Sequence, residues 1–240
     1  MKWSFNYSVN VNDLDSNYIL SASGILRFMQ DAANREMEAH GPTYLELFES
    51  GFSFILCRIR LKSYLPVTVH DNITVETWTT VSKSLQFDRY YRMIRNGETV
   101  AEAATAWAMV GVNGKRLHRA SEFDLNYVVD DALELPLPPR MKIPEGTDMK
   151  FMAERKVEYP DIDLNEHMNN TRYPDIFCGY IEGGMKGKRM TSFSISFVNE
   201  AHLGDTIKYY SGAGESSYYV RSVRSDGKTN AEAEITLESI

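Results

Sequence analysis

Between Phe5 and Val11 apolar and polar residues alternate with a period of two, which predicts a strand. From about Ser23 the period changes. Ile25, Phe28, Met29, Ala32, Ala33 and Met37 recur at helical spacing, and Gly41-Pro42 supplies the stop. Thr43 to Glu49 reads as a short extra helix closed by Gly51. Aromatic and β-branched runs then predict strands over 52–60, 72–81, 86–95 and 99–112. Asn96-Gly97 and Asn113-Gly114 are turn signals between or after them.

The stretch from Asp161 to Asn170 opens a second such series. Asp161, Asp163, Asn165 and His167 alternate with mostly apolar neighbours, so an extended backbone would project all four the same way. Tyr173, Ile176, Phe177, Tyr180 and Ile181 then follow at three- and four-residue spacing, predicting an amphipathic helix stopped by Gly183-Gly184. Asn169, Asn170 and Thr171 are N-cap candidates, and Pro174 is tolerable only in a first turn. Carboxylate, amide and imidazole would thus arrive together at a helix start, where unpaired N–H groups favour a developing oxyanion.

The two series match in order. Asp13-x-Asp15-x-Asn17 parallels Asp161-x-Asp163-x-Asn165, Asp71-Asn72-Ile73 parallels Asp205-Thr206-Ile207, and Gly97-x-Thr99-x-Ala101-Glu102-Ala103 parallels Gly227-x-Thr229-x-Ala231-Glu232-Ala233. Three ordered matches indicate an internal duplication. The expected organisation is an N-terminal repeat over 1–125, a proline-rich acidic linker over 126–150, and a C-terminal repeat over 151–240. One strand, one long helix, then several strands is the order of an α+β unit whose antiparallel sheet wraps its helix. Two such units would pair like a dimer fused in one chain, and a further homodimer stays open. The repeats differ where it matters. His167 stands opposite Ile19 and Glu200 opposite Pro66, so the second copy is the one equipped for acid–base chemistry.

Composition narrows the field. With 240 residues, 43% of them hydrophobic, the chain can bury a sizeable core. A net charge of −7 argues against nucleic acid as a partner. No run of about 20 apolar residues suggests a membrane span. The N-terminal segment has no signal-peptide pattern, and the two cysteines, Cys57 and Cys178, give no disulfide framework, so a reducing cytoplasm is expected. A calcium loop at Asp161 fails, because the sixth position is Glu166 and the twelfth Arg172. His40, His70, His118 and His202 show no metal-ligand spacing, so no metal and no cofactor are expected. Asp15 and Asp161 read as turn formers, and Cys178 as a packing residue.

Asp163-x-Asn165-x-His167-x-Asn169-Asn170-x-x-Tyr173, with Phe197-x-x-Glu200 and with Trp107-Ala108-Met109 before Arg116-Leu117, resembles the acyl-acyl carrier protein (acyl-ACP) thioesterases of plant plastids and their bacterial relatives. The resemblance spans nearly the whole chain and implies a double hotdog fold. It implies hydrolysis of the thioester between a fatty acyl chain and acyl carrier protein, with Asp163, Asn165, His167 and Glu200 as the catalytic group. Plant members usually carry cysteine after that glutamate; here Ala201 stands there, which rules out a thiolate nucleophile at that position. The plant transit extension is missing, as expected of a bacterial-type member.

Glu200 would serve as base or nucleophile, raised in pKa by an acyl tunnel. His167 would couple to it, Asp163 would fix the imidazole or the loop, and Asn165 with a backbone N–H would face the oxyanion. Rival readings are an acyl-coenzyme A thioesterase, a non-catalytic acyl-binding protein, and a hotdog dehydratase. The last fits the Asn-x-His-x-Asn-Asn order less well.

Overall fold

The runs of β-branched and aromatic residues pair edge to edge into one eleven-stranded antiparallel sheet in the computed structural model, described for residues 2–81, 84–113, 116–137 and 139–240. In chain order the strands are β1 (Trp3–Ser8), β2 (Phe52–Ser63), β3 (Asn72–Thr79), β4 (Gln86–Arg95), β5 (Glu98–Gly111), β6 (Leu117–His118), β7 (Lys150–Lys156), β8 (Lys188–Phe197), β9 (Thr206–Ala213), β10 (Tyr218–Arg224) and β11 (Thr229–Ser239). Their lateral order is β1-β3-β4-β5-β2-β8-β11-β10-β9-β7, with the short β6 on β5. From either edge inward to the β2–β8 seam the two halves run in the same order. The seam itself registers Arg58 to Lys62 of β2 against Ser196 to Ser192 of β8. Few helices and a large antiparallel sheet make the chain α+β.

Helix α1 (Ala22–His40) lies on one face of this sheet. The Ser21 side chain accepts from the Gly24 N–H, capping its start, and Gly41 at φ +61° ends it. Its buried stripe of Ile25, Met29, Ala32, Ala33 and Met37 is the one the periodicity picks out. The first four share an apolar cluster with Ile73, Val75, Tyr91 and Met93, and Met37 packs with Leu47, Met109 and Tyr127. The short helix α2 (Tyr44–Glu49) follows, with Thr43 and Glu46 forming a capping box.

Two expectations change. The first strand stops at Ser8 instead of reaching Val11, because the Val9 N–H bonds the Asp71 carbonyl and a 3₁₀ turn takes over Val11–Asp13. The second long helix is only seven residues, α3 (Tyr173–Gly179), preceded by a 3₁₀ turn over Asn170–Arg172. Tyr173, Phe177 and Ile181 are buried as their spacing requires. However, the Tyr180 and Ile181 N–H groups reach back only three residues, to Phe177 and Cys178, and the chain leaves the helix well before Gly183-Gly184. The Asn96-Gly97 turn forms with both residues at positive φ. Gly114 of the other turn signal, like Pro138 of the linker, lies outside the described residues.

The segment expected as a linker runs as a strap across the sheet. Trp78 and Thr77 are adjacent on β3 and face opposite sides. On the Trp78 side, Tyr90 and Ala104 are covered by Leu135, Val128, Leu133 and Leu137. The Trp78 indole donates to the Asp131 carbonyl at 2.8 Å. On the Thr77 side, Arg89 donates to Glu36 of α1 and to the Thr77 hydroxyl, while Glu36 accepts the Val128 N–H at 2.6 Å. Glu36 is wholly buried. The linker therefore spans both elements that frame the cavity described next.

Candidate active site

The motif residues sit on a tight loop, not an extended strand. The Asp163 Oδ1 accepts the Asn165 N–H at 2.9 Å, and the Glu166 N–H bonds the Asp163 carbonyl at 3.0 Å. Glu166 adopts φ +62°, and Ile162 bridges Met168 to close the loop. The side chains of Asp163 and Asn165 are thereby turned away from the parallel array that alternation suggests. Asp161 is structural, as expected: its Oδ2 accepts from Arg155 at 2.7 Å and from the Glu158 N–H at 3.0 Å.

The first half builds the same loop bond for bond. Asp15 Oδ1 accepts the Asn17 N–H at 2.8 Å, Tyr18 takes φ +62°, and Leu14 bridges Leu20. The Asp15 N–H reaches the Ile19 carbonyl at 2.8 Å just as the Asp163 N–H reaches that of His167 at 3.0 Å. The Leu20 N–H bonds the Val67 carbonyl at 2.7 Å, as the Met168 N–H bonds that of Ala201 at 2.7 Å. These equivalences set Ile19 against His167 and Pro66 against Glu200. Only the second loop carries titratable groups at both places.

There the imidazole meets the carboxylate. His167 Nε2 lies 3.5 Å from Glu200 Oε1, although 33 positions separate them in sequence (200 − 167). The backbone bond from Met168 to Ala201 and the bridge between His167 and His202 hold the two segments together. Arg224 Nη1 donates to the Glu200 carbonyl at 2.9 Å, fixing that segment from β10. His202, which has no metal-ligand spacing but lies two residues from Glu200 in sequence and is expected at most to stand behind it, places its Nε2 3.9 Å from Glu200 Oε2. Ala201 is buried and brings no ionisable group to the site.

Two further residues were invisible in the sequence. Asn165 Oδ1 accepts from the Tyr44 hydroxyl at 2.6 Å and from the Ser53 hydroxyl at 2.9 Å. Tyr44 opens α2 and the buried Ser53 lies on β2, so the N-terminal half grips the motif loop of the C-terminal half. With the amide oxygen held by two donors, the orientation of Asn165 is set, and its Nδ2 is the end left to donate elsewhere. The helix start carries the cap foreseen there. Asn169 Oδ1 accepts the Thr171 N–H at 2.9 Å and the Thr171 hydroxyl at 2.8 Å.

Asn165 and Asp163 form one wall of a cavity of about 430 Å³, a size suited to a small-molecule ligand. Its other walls include Met37, Phe54, Phe87, Trp107 and Phe123 beside Gln30, Asn34 and Thr80, so apolar surface holds the larger share of a mixed lining. The buried Arg89, covered by the Tyr127 ring, is a charged exception on its wall. Among the described residues the lining takes in neither His167 nor Glu200, and the Glu200 side chain is 28% exposed. The residue foreseen as a base inside a dry tunnel is thus not part of this cavity's wall and keeps partial contact with solvent.

Both thiols are unpaired. Cys178 is buried on α3, and burial pushes its pKa well above the usual thiol range. No helix among the described residues is long and apolar enough to cross a membrane.

The fold is shared with known proteins. A solved acyl-ACP thioesterase from Bacteroides thetaiotaomicron superposes with a TM-score of 0.87 at 20% identity, covering 98% of this chain and 97% of that one. The 12:0-ACP thioesterase from Umbellularia californica gives 0.85 at 15% identity, covering 100% and 98%. These likenesses establish the fold. Among curated proteins, the chloroplastic palmitoyl-acyl carrier protein thioesterase of Arabidopsis thaliana is 21% identical over 214 residues, 81% of this chain and 51% of that protein. The oleoyl-acyl carrier protein thioesterase 2 of the same plant is 24% identical over 136 residues, 50% of this chain and 36% of that protein. The chain thus spans about half the length, or less, of these curated relatives. The acyl-ACP thioesterase N-terminal domain model matches residues 1–124 and the C-terminal domain model residues 145–239. Matched over both domains, the chain belongs to the acyl-ACP thioesterase family.

Proposed function

We propose that this chain hydrolyses the thioester of a fatty acyl group carried on acyl carrier protein, releasing free fatty acid. The observation that carries the reading is the His167–Glu200 pair at 3.5 Å, set one loop turn from an amide that faces a mainly apolar cavity. We assign the fold as a double hotdog, with repeats over 1–125 and 151–240 joined by the linker of 126–150. The matched strand orders and the bond-for-bond loop equivalence support that division. The unpaired thiols fit a reducing cytoplasm.

The roles follow from position. Glu200 takes a proton from water as the water oxygen attacks the thioester carbonyl, or attacks that carbon itself. Asn165 Nδ2 donates to the oxygen that becomes negative, held at that task by Tyr44 and Ser53. In the water route the C–S bond then breaks and His167, carrying the proton relayed from Glu200, delivers it to the leaving thiolate. In the direct route the thiolate leaves as the acyl–Glu200 anhydride forms, His167 gives it a proton, and the water that opens the anhydride returns one to His167. Asp163 acts on the loop and not on the imidazole, since its carboxylate accepts the Asn165 N–H. The acyl chain occupies the cavity between α1 and the sheet.

The test is fatty acid release from acyl-ACP donors of graded chain length, run beside the matching acyl-coenzyme A. Glu200→Gln should lose about 100-fold or more in kcat while keeping its fold. Faster turnover on coenzyme A than on the carrier at every length would reassign the donor. Tight acyl binding without release would make the chain a sequestering protein.

A further inference from the structure

His202 has no part in the hydrolytic scheme, yet it completes a second arrangement around the same carboxylate. The His167 and His202 rings stand side by side, their centroids 5.4 Å apart across the bridge that joins their backbones. Glu200 sends one oxygen toward each: Oε1 is 3.5 Å from His167 Nε2 and Oε2 is 3.9 Å from His202 Nε2. One donor atom from each of the three residues lies within 4.8 Å of the other two.

A tetrahedral zinc ion bonded at about 2.0–2.1 Å spaces neighbouring donors about 3.3–3.4 Å apart. The His167–Glu200 separation is already close to that value. The remaining closure falls to His202, whose side chain is 46% exposed and can rotate inward. Two imidazoles and one carboxylate suit zinc, nickel or copper, whereas calcium and magnesium prefer an all-oxygen shell. Three protein donors also leave a fourth position for water.

We propose that His167, Glu200 and His202 form a transition-metal site that takes Zn²⁺, and that filling it shuts off hydrolysis. The inhibitory half rests on the hydrolase reading above; the binding half does not. The ion accepts lone pairs from the Glu200 carboxylate and the His167 ring nitrogen, the same pairs that accept and relay the proton of water. Zinc and turnover therefore compete for one set of atoms, and a chelator restores activity. His202 is the residue that separates the two properties, because it serves the metal alone.

The experiment titrates ZnCl₂ into the chelator-treated full chain by calorimetry and repeats it with Co²⁺, following the visible d–d absorption of a low-coordinate ion. Hydrolysis is assayed across the same zinc series. The expected result is one ion per chain, loss of activity on saturation, and recovery with EDTA. His202→Ala should weaken zinc binding and inhibition together by about tenfold or more, with zinc-free kcat/KM within about twofold of the parent. A thermal melt of that variant guards against misfolding at this exposed position. Undiminished zinc affinity in His202→Ala, no uptake by the parent, or full activity with zinc bound would each overturn the proposal. Zinc uptake that depends on His202 in a chain that hydrolyses no donor would uphold the site and sink the hydrolase reading instead.

Discussion

Asn165 can stabilise an oxyanion only while its amide is kept from flipping, and the structure assigns that task to two hydroxyls. Tyr44 and Ser53 donate to the amide oxygen at 2.6 and 2.9 Å. A neutral hydrogen bond of this kind contributes about 0.5–1.5 kcal/mol net. At 1.36 kcal/mol per decade, Tyr44→Phe or Ser53→Ala should each lower kcat by about 2- to 13-fold. Asn165→Ala removes the donor itself and should cost about 100- to 1000-fold. Because both hydroxyls hold one amide, their effects should not simply multiply, and the double variant should approach Asn165→Ala without exceeding it. The assay is single-turnover acyl-ACP hydrolysis, which isolates chemistry from product release, with circular dichroism to verify folding. Tyr44 also lines the cavity, so its KM can shift; kcat is the deciding quantity. If the Tyr44→Phe/Ser53→Ala protein keeps kcat within about twofold while Asn165→Ala falls a hundredfold, something other than these hydroxyls orients the amide.

Other expectations concern the scaffold. Glu36→Gln should strand the buried Arg89 charge and cost about 3–5 kcal/mol, lowering the melting temperature by about 6–20 °C, with partial recovery in a Glu36→Leu/Arg89→Met pair. A melt shifted by less than about 2 °C would show that Arg89 finds another partner. Burial raises the thiol pKa of Cys178 and, less exclusively, of Cys57, so both should resist iodoacetamide at pH 8 until the chain is denatured. Rapid labelling of the native protein would contradict that burial. Burial also pushes the Tyr91 and Tyr209 phenols up to about 12 from their ordinary 10.0. A folded-state value above the unfolded one means this stabilisation is complete below pH 10 and is lost as the pH climbs through 12. Phenolate absorbance and unfolding followed together should rise in that window; full titration of the native state near pH 10 would be the wrong result.

Different parts of this architecture were legible for different physical reasons. Strands β2 to β5 and helix α1 follow from local periodicity and caps, so their residues announce them within a few positions of each end. Helix α3 misled because burial and helicity parted company. Tyr173, Phe177 and Ile181 keep their apolar spacing, but the backbone tightens after Gly179, and side-chain pattern does not report that. The alternation of Asp163, Asn165 and His167 misled similarly. Asp163 bonds the backbone two residues on, and a positive φ at Glu166 folds the run into a loop. The grip of Tyr44 and Ser53 on Asn165 spans more than a hundred residues and left no local trace.

What the sequence did carry was the comparison of each half with the other, and the structure gives it a cause. The loop is a device for bringing residue 168 against 201, or residue 20 against 67, by one backbone bond. That bond needs no particular side chain at the positions beside it, so the first copy can hold Ile19 and Pro66 there and still close. The scaffold accordingly closes with either pair at this place, and in the proposed hydrolysis acid–base chemistry needs only one copy to keep His167 and Glu200. Installing the pair in the other copy, as Ile19→His with Pro66→Glu, should preserve folding yet give no second site. The amide at that loop, Asn17, already spends both ends on backbone partners: its Nδ2 donates to the Met185 and Lys188 carbonyls and its Oδ1 accepts the Gly187 N–H. A Glu200→Gln background measures this directly, since any hydrolysis recovered there by the transplanted pair would mean that imidazole and carboxylate suffice without an oriented amide.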